Sequence, residues 1–405
     1  MKRSDLLERP PGPFRASFWK SSARGRRVTA TLGLILLPML TIVIVTGLLS
    51  YAAYNPRLTG NDNVHSSFLH FYLFDWPVTP SWLYRLNQGL HVTIGVALVP
   101  IVLVKLWSVL PRLFEWPPVR SPAHLLERIS LLALVGGILF ELVTGLLNIS
   151  NDYVFGFSFY TAHLYGAVVF LAGFVVHVSL KLRLAYRAVR RRETPKDGPD
   201  ELAAPDPGPS TISRRGVVAV AGGSSLVVAA LYAGQTIGGP FRATALLSPR
   251  GGPGSPSFPV NRTARTARVA RAGDEWRLTL VGTSTMTLSR ADLLAMRQVT
   301  AGLPIACVEG WSSAQTWGGV PLMTLGRLVG LTKPVGAYVE SLEKKGAYRH
   351  VSLSRRQVGA AHTLLALKCG GKDLTLDHGY PARLIIPAAP GVHNTKWVSK
   401  VTFDV

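Results

Sequence analysis

The stretch "TISRRGVVAVAGG", residues 211–223, decides how the chain is laid out. Two arginines precede an apolar, Gly/Ala-rich run that continues to about Ile237. A basic pair ahead of such a run reads either as an export signal or as the cytoplasmic flank of a membrane helix. Both readings make it a boundary, so the residues on its two sides should meet different solvents.

The sequence agrees. Before the boundary stand four long apolar segments, 28–51, 87–110, 129–148 and 161–183. Each has the ~20 residues a helix needs to cross ~30 Å of hydrocarbon. The run 216–237 is expected to be a fifth, more weakly apolar span. Of the 405 residues 48% are hydrophobic and only 16% charged, against about 25% charged in soluble domains. The formal net charge of +22 would suit a nucleic-acid binder. Its placement excludes that class, because the charge gathers at the ends of the apolar runs.

Orientation follows from Lys and Arg. The first 27 residues are basic, the loop between spans two and three holds Arg112, Arg120 and Arg128, and span four is followed by Lys181, Arg183, Arg187 and Arg190 to Arg192. By contrast the loop 52–86 has only Arg57 and Arg85, and 149–160 has neither residue type. The N-terminus is therefore expected in the cytoplasm, and everything after about 238 outside. The expected organisation is a cytoplasmic N-terminus (1–27), a four-span membrane domain (28–190), a Pro-rich cytoplasmic linker (191–213), a fifth span (214–237), an outer linker (238–258) and an outer domain (259–405). The fold class is thus a membrane α-helical bundle followed by an extracytoplasmic α+β domain, whose short alternating strands include "EWRLTLVG" and "ARLIIP". No internal repeat is evident.

Three histidines fall inside spans. His91 lies near the start of span two, and His163 and His177 lie in span four. Both spans run inward, so His91 and His163 are expected at similar depth, each within about a turn of the outer end. A b-type haem needs two axial imidazoles from facing helices at one depth. His163 and His177 are separated by ~21 Å along a helix and ~40° around it, the spacing of two stacked haem sites. The bland alternative is that these histidines line an interior or meet headgroups. Glu141, within span three, could relay protons or bond a neighbouring helix. His65 and His70 read as surface or interfacial side chains.

The four spans resemble the di-haem cytochrome b subunits of formate dehydrogenases and hydrogenases, on "NQGLHV" and on His163-x13-His177. The resemblance implies haem b and exchange with quinone. In that family the inner haem takes a histidine from the cytoplasmic end of the first span, where this chain reads "RGRRVTATLG"; fourteen residues after His91 stands Lys105. The residues thus supply one complete axial pair, with His177 alone at the inner site.

The densest motif of the outer domain is "IACVEGWSSAQTWGGVPLMTL", residues 305–325. A lone cysteine at a strand end, beside glycines, suits a thiolate ligand to a soft metal. A structural cysteine, or a Cys307–Cys369 disulfide in an oxidising compartment, remains open on spacing alone. This stretch, with "DHGYPARLIIPAAPGVHNTKWVSKV" (377–401), resembles the sulfite oxidase family of molybdopterin enzymes. The resemblance implies that Cys307 binds molybdenum and that His378, Arg383, Asn394, Thr395 and Lys396 contact the pterin cofactor, with Asn261 and Ser341 as further contacts. Arg383 and Lys396 would meet its phosphate. Sulfite-oxidising members carry an arginine before the early asparagine; here that residue is Val260.

The reading that results is a molybdenum oxidoreductase of the bacterial cytoplasmic membrane. It would exchange electrons between quinone and an outer molybdopterin site through haem b, reducing an S-oxide or N-oxide. The alternatives are a sulfite-type dehydrogenase and a non-enzymatic membrane cytochrome with an outer binding module. Ser213-Arg214-Arg215 resembles a twin-arginine signal, which exports domains already folded around a cofactor. Ordinary positive-inside arginines before a stable span are the other reading.

Overall fold

The structure, a computed structural model, describes residues 10–61, 71–150, 154–190, 200, 202–269, 275–346 and 349–404. His65, His70 and residues 193–199 of the Pro-rich linker lie outside them.

Five helices are long and apolar enough to cross a membrane by length and composition: α1 Arg26–Tyr54, α2 Leu83–Leu113, α3 Pro122–Ser150, α4 Phe159–Arg190 and α5 Arg214–Ile237. Each exceeds its expected segment, because helices run on past their apolar stretch into polar flanks. The ranking by apolarity needs one correction: α5 has mean hydropathy 1.9 against 1.8 for α4, so the fifth is no weaker than the fourth. α1 carries six consecutive β-branched residues, Thr41–Thr46, which by propensity favour strands. They are helical all the same; in an apolar medium only the helix satisfies every backbone group within the segment.

The chain packs as two compact units, Met1–Ile44 with Thr93–Ala230 and Val45–Val92 with Leu231–Val405. In the first, Leu32, Leu36, Leu98, Ile101, Phe170 and Ala221 are buried together. Its α3 and α4 run close because small residues line their contact: a Cβ on Gly137 would meet Phe170 Cα at 2.9 Å, and one on Gly173 would meet Leu134 N at 2.8 Å.

The second unit holds all ten strands of the described residues: β1 Arg277–Val281, β2 Thr285–Ser289, β3 Val299–Ala306, β4 Ser312–Pro321, β5 Ala337–Ser341, β6 His350–Leu353, β7 Leu364–Cys369, β8 Lys372–Asp373, β9 Arg383–Ile385 and β10 Val398–Phe403. They form two sheets, β2-β1-β10-β5-β6 and β3-β4-β7-β8, with β9 added beside β7. β1 and β10 are parallel, which brings the last strand into the middle of the first sheet. β1 alternates as expected, with Leu278 and Leu280 inward. β9 does not: all three of its residues are buried, including Arg383. Short helices α6 Ala264–Ala267, α7 Arg290–Ala295, α8 Leu322–Leu328 and α9 Arg355–Gly359 connect the strands. α7 and α9 start at capping boxes, Ser289 with Asp292 and Ser354 with Gln357.

Candidate active site

Cys307 closes β3 and opens a tight turn. Its N–H donates to Trp311 O, and Gly310 N–H donates back to Cys307 O. Gly310 sits at φ +93, where a side chain would be strained. The turn keeps the thiol buried, 5% exposed. Cys307 and Cys369 are both free thiols, so the disulfide alternative falls away.

Segment 258–262 ties the remaining residues to Cys307. Asn261 Nδ2 donates to Cys307 Sγ at 3.0 Å and to Glu309 Oε1 at 2.8 Å. Phe258 O lies 3.1 Å from His378 Nε2, and the two rings stack at 4.3 Å. Arg262 O accepts from Lys396 Nζ at 2.6 Å, and Asp377 O accepts from the same ammonium at 2.8 Å. Arg383 donates to His378 O at 3.1 Å, and its guanidinium lies over the Phe258 and Trp317 rings. Ser341 Oγ donates to Lys396 O at 2.7 Å, so it supports the lysine's backbone. Asn394 spends its side chain within its own loop, Oδ1 accepting from Ile386 N and Nδ2 donating to Pro390 O. That loop reaches Cys307 through a parallel bridge between Ala306 and Pro390. A Cβ on Gly391 would stand 2.6 Å from Ala306 O, so only glycine permits the approach.

Burial sets the electrostatics. It pushes the Cys307 thiol up to about 12, with the Glu309 charge adding to the rise. It lowers Arg383 to about 10. It lowers Lys396 to about 7, with Arg383 repelling it further. His378 is lowered for the same leading reason. A buried Arg383 beside a half-buried Lys396 calls for an anion. Arg383 Nε, His393 Nε2 and Thr395 Oγ1 are buried with no hydrogen-bond partner among the described residues. Donors and charge of this kind fit a pterin cofactor with a terminal phosphate.

Sequence reasoning missed three residues here. Glu309 is fully buried, and besides Asn261 it accepts from Arg250 at 2.7 Å and from Trp311 Nε1 at 3.1 Å. Glu309 stood in the quoted motif two residues after Cys307; a charged residue there was the available signal. Arg250 lay in what reads as a Gly/Pro linker and carried none. His393 is 3% exposed and held down to about 4 by burial.

The helices also hold something unexpected. The sequence V-T-G-L-L occurs twice, at 45–49 in α1 and at 143–147 in α3. Within the second unit, Thr46 Oγ1 lies 3.1 Å from His91 Nδ1, and a Cβ on Gly47 would stand 3.3 Å from His91 Cε1. Within the first unit, Thr144 Oγ1 lies 3.0 Å from His163 Nδ1, and a Cβ on Gly145 would stand 3.5 Å from His163 Cε1. The chain therefore does contain an internal repeat: two helical hairpins, each with a Thr-Gly step cradling an imidazole. His163 Nε2 also pairs with Glu141 at 3.1 Å. His91 is the ninth residue of α2 and His163 the fifth of α4, so His91 stands deeper than one turn. Lys105 Nζ donates to Thr29 O at 2.5 Å. His163 spends both ring nitrogens within its own unit, Nδ1 on Thr144 and Nε2 on Glu141.

Residues 265–404 match the family model of the oxidoreductase molybdopterin binding domain. A sulfite oxidase of Arabidopsis thaliana is 32% identical over 99 residues, 21% of this chain and 25% of the relative. A chain of Azospira oryzae named as a protein-methionine-sulfoxide reductase subunit, YedZ1, is 33% identical over 109 residues, 26% of this chain and 40% of the relative. An uncharacterized oxidoreductase of Bacillus subtilis, YuiH, is 29% identical over 150 residues, 36% of this chain and 74% of the relative. The chain thus spans less than half the length of the first two.

Proposed function

We propose that this chain, which carries a molybdopterin-dependent oxidoreductase domain of the sulfite oxidase family, is a membrane-bound enzyme that reduces an S-oxide or N-oxide with electrons from quinol. Cys307 would hold the molybdenum, and a b-type haem would supply single-electron exchange with the quinol. The observation that carries the reading is the Cys307–Asn261–Glu309 cluster, tied through segment 258–262 to the buried Arg383 and the half-buried Lys396.

When bound, the cofactor supplies two-electron oxygen-atom transfer. The chain's own residues do the rest. Arg383 and Lys396 would hold the phosphate, with His393 and Thr395 offering their unpaired polar atoms. Cys307 must lose its proton to become a ligand. Its surroundings hold that proton tightly, so the thiolate forms only against the metal's charge. Asn261 then donates to the sulfur. His91 and His163 would hold the haem; a threonine meets each imidazole at Nδ1, and Glu141 would have to release His163 Nε2. The five helices cross the cytoplasmic membrane with the N-terminus inside, as the Lys/Arg distribution directs.

Reduction of an S-oxide is favoured because one relative is named as a protein-methionine-sulfoxide reductase subunit, and because Val260 stands where sulfite oxidation wants an arginine. The relatives named sulfite oxidase favour a second reading, a sulfite-type dehydrogenase feeding quinone. One experiment tests both. Protein purified from membranes is assayed for molybdenum and haem and titrated optically while methionine sulfoxide, an N-oxide or sulfite is added. The proposal expects one molybdenum per chain and reoxidation of reduced haem by the oxides. Protein without molybdenum refutes it, and haem reduction by sulfite alone establishes the second reading.

A further inference from the structure

An export signal is either cut off after use or kept as an anchor. Downstream of Ser213-Arg214-Arg215 and its apolar run the chain carries a cutting pattern, Ala243-Thr244-Ala245. Signal peptides are cleaved after small residues spaced in this way. Hydrolysis there would add water across the Ala245–Leu246 amide, leaving a carboxylate on Ala245 and a new amino terminus on Leu246.

The backbone around that bond is folded back on itself. After α5 come Gly238 and Gly239 at φ +76 and +56, a left-handed pair that reverses the chain. Gly239–Thr244 is a 3-10 turn, and it lies against the helix it has just left. Leu247 N–H donates to Leu231 O at 3.1 Å. A Cβ on Gly234 would overlap Phe241 O and stand 2.7 Å from Thr244 Oγ1. Arg242 donates to Ser257 O at 2.8 Å and to Pro256 O at 2.9 Å, next to the segment 258–262 that organises the site. Ala245 is fully buried; its N–H donates to Arg242 O at 3.1 Å, and its O accepts from Ser248 N at 3.2 Å.

The last turn of α5 is also built into the Cys307 loop. Three consecutive carbonyls follow Cys307, and each accepts a side-chain hydrogen bond. Gln88 Nε2 donates to Val308 O at 2.8 Å, Gln235 Nε2 to Glu309 O at 3.1 Å, and Thr236 Oγ1 to Gly310 O at 2.6 Å. Ser312 Oγ donates back to Thr236 O at 2.8 Å. Gln235 is 1% exposed, and its Oε1 accepts from Ser248 Oγ at 2.5 Å, so both ends of the amide are held. A cut after Ala245 would sever these donors from the loop they seat, at the cost that buried carbonyls without partners carry.

We propose that residues 243–245 are a signal-peptidase site that the fold withholds, so that α5 stays on the chain as a permanent anchor whose last turn seats the Cys307 loop. The inference rests on the outward placement of the domain in the functional reading above. A peptide is bound most readily as extended backbone added to a sheet edge. Here Ala243 and Thr244 are wound into the 3-10 turn, and Ala245 closes it. Both backbone groups of Ala245 are taken, and it presents no surface. A domain exported already folded therefore offers the peptidase no strand to cut. What folds after the helix, rather than the helix sequence, turns the signal into an anchor.

The test follows the full chain, tagged at its C-terminus, in membranes of a bacterium with active signal peptidase; blotting and intact mass report its length. Wild type should keep all 405 residues. Gly234→Val puts a side chain where Phe241 O lies. It should lift the turn and convert most of the full-length band to a fragment beginning at Leu246. Adding Ala243→Lys, at an exposed position, removes a small residue of the pattern and should restore full length. Where the Gly234 variant is degraded altogether, Gln235→Ala with Thr236→Val loosens the same turn, and the same fragment, again abolished by Ala243→Lys, is expected. Wild type cut after Ala245 overturns the proposal. Full-length chain in both loosened variants overturns it too, because the fold is then not what protects the site. A domain that protease added to spheroplasts never reaches refutes the outward placement itself.

Discussion

Arg250→Met should destabilise the protein through its ion pair with Glu309, and Glu309→Gln should repair it. Glu309 is fully buried, and Arg250 is its cation at 2.7 Å; the arginine's own side chain is 32% exposed. At an effective dielectric of about 20, opposite charges roughly 4 Å apart interact by about 4 kcal/mol. Partial exposure of Arg250 admits water and screens the pair, so the net loss is about 2–3 kcal/mol. Asn261 and Trp311 still donate to the carboxylate but carry no charge. At about 2–4 °C per kcal/mol for a unit of this size, the melting temperature falls by roughly 4–12 °C. Glu309→Gln removes the charge that Arg250 compensates, so the double variant should recover most of the loss. The assay is thermal unfolding of the solubilised protein followed by tryptophan fluorescence, run as a double-mutant cycle. A second readout comes from the thiol. The Glu309 charge helps hold Cys307 up at about 12, so Glu309→Gln lowers that value and speeds alkylation of the metal-free thiol at mildly alkaline pH. Additive single-variant losses, with no recovery in the double variant, would refute the argument.

Three further outcomes follow from the same geometry. Lys396 is lowered to about 7 by burial first and Arg383 second. In cofactor-free protein the unfolded state therefore binds more protons between about 7 and the ordinary lysine value near 10.4, and stability rises with pH across that window. Lys396→Met should flatten this rise in pH-dependent melts. Thr46→Val and Thr144→Val remove the hydroxyl at the two imidazole Nδ1 atoms; each should shift the haem midpoint potential in an optical titration without abolishing the spectrum, as loss of an outer-sphere bond does. Replacing Arg214 and Arg215 by lysine keeps the positive charge. If the pair works as an export signal, protease protection of the outer domain should appear in intact cells; if domain placement is unchanged, the arginines are ordinary flanking charge.

What could be read from the sequence was what the chemistry encodes locally. Cys307, His378 and Arg383 stand in short motifs because a strand end, a tight turn and a buried cation each need specific residue types within a few positions. Spans were readable because apolar length is additive along the chain. Contacts that join distant positions left no such mark. Arg250 meets Glu309 across 59 residues and Gln88 meets Val308 across 220. Neither contact was marked locally: Arg250 lay in a Gly/Pro run, and Gln88 stood in the "NQGLHV" motif with nothing there pointing to Val308. The repeated Thr-Gly step escaped for a related reason. The threonine-to-histidine separation is 45 residues in one hairpin and 19 in the other, so no fixed period exists to detect, although the two side-chain arrangements are alike.

That repeat also bears on how many haems the chain can hold. If α1–α2 and α3–α4 are equivalent hairpins, then positions equally spaced from their histidines should be equivalent too. Fourteen residues beyond His163 is His177, and fourteen beyond His91 is Lys105. The equivalence holds at His91 and His163, where both hairpins present an imidazole backed by threonine and glycine. It breaks fourteen residues further on, where one hairpin presents an imidazole and the other an ammonium bonded to Thr29 O. A bis-histidine site needs the same donor from both halves. Lys105→His is therefore the informative substitution. It restores the equivalence, and a second haem in the pyridine haemochrome assay, doubling the haem per chain, is the expected result. No gain in haem, in a variant whose first haem and fold are intact, would mean that the hairpins are alike only at their outer ends.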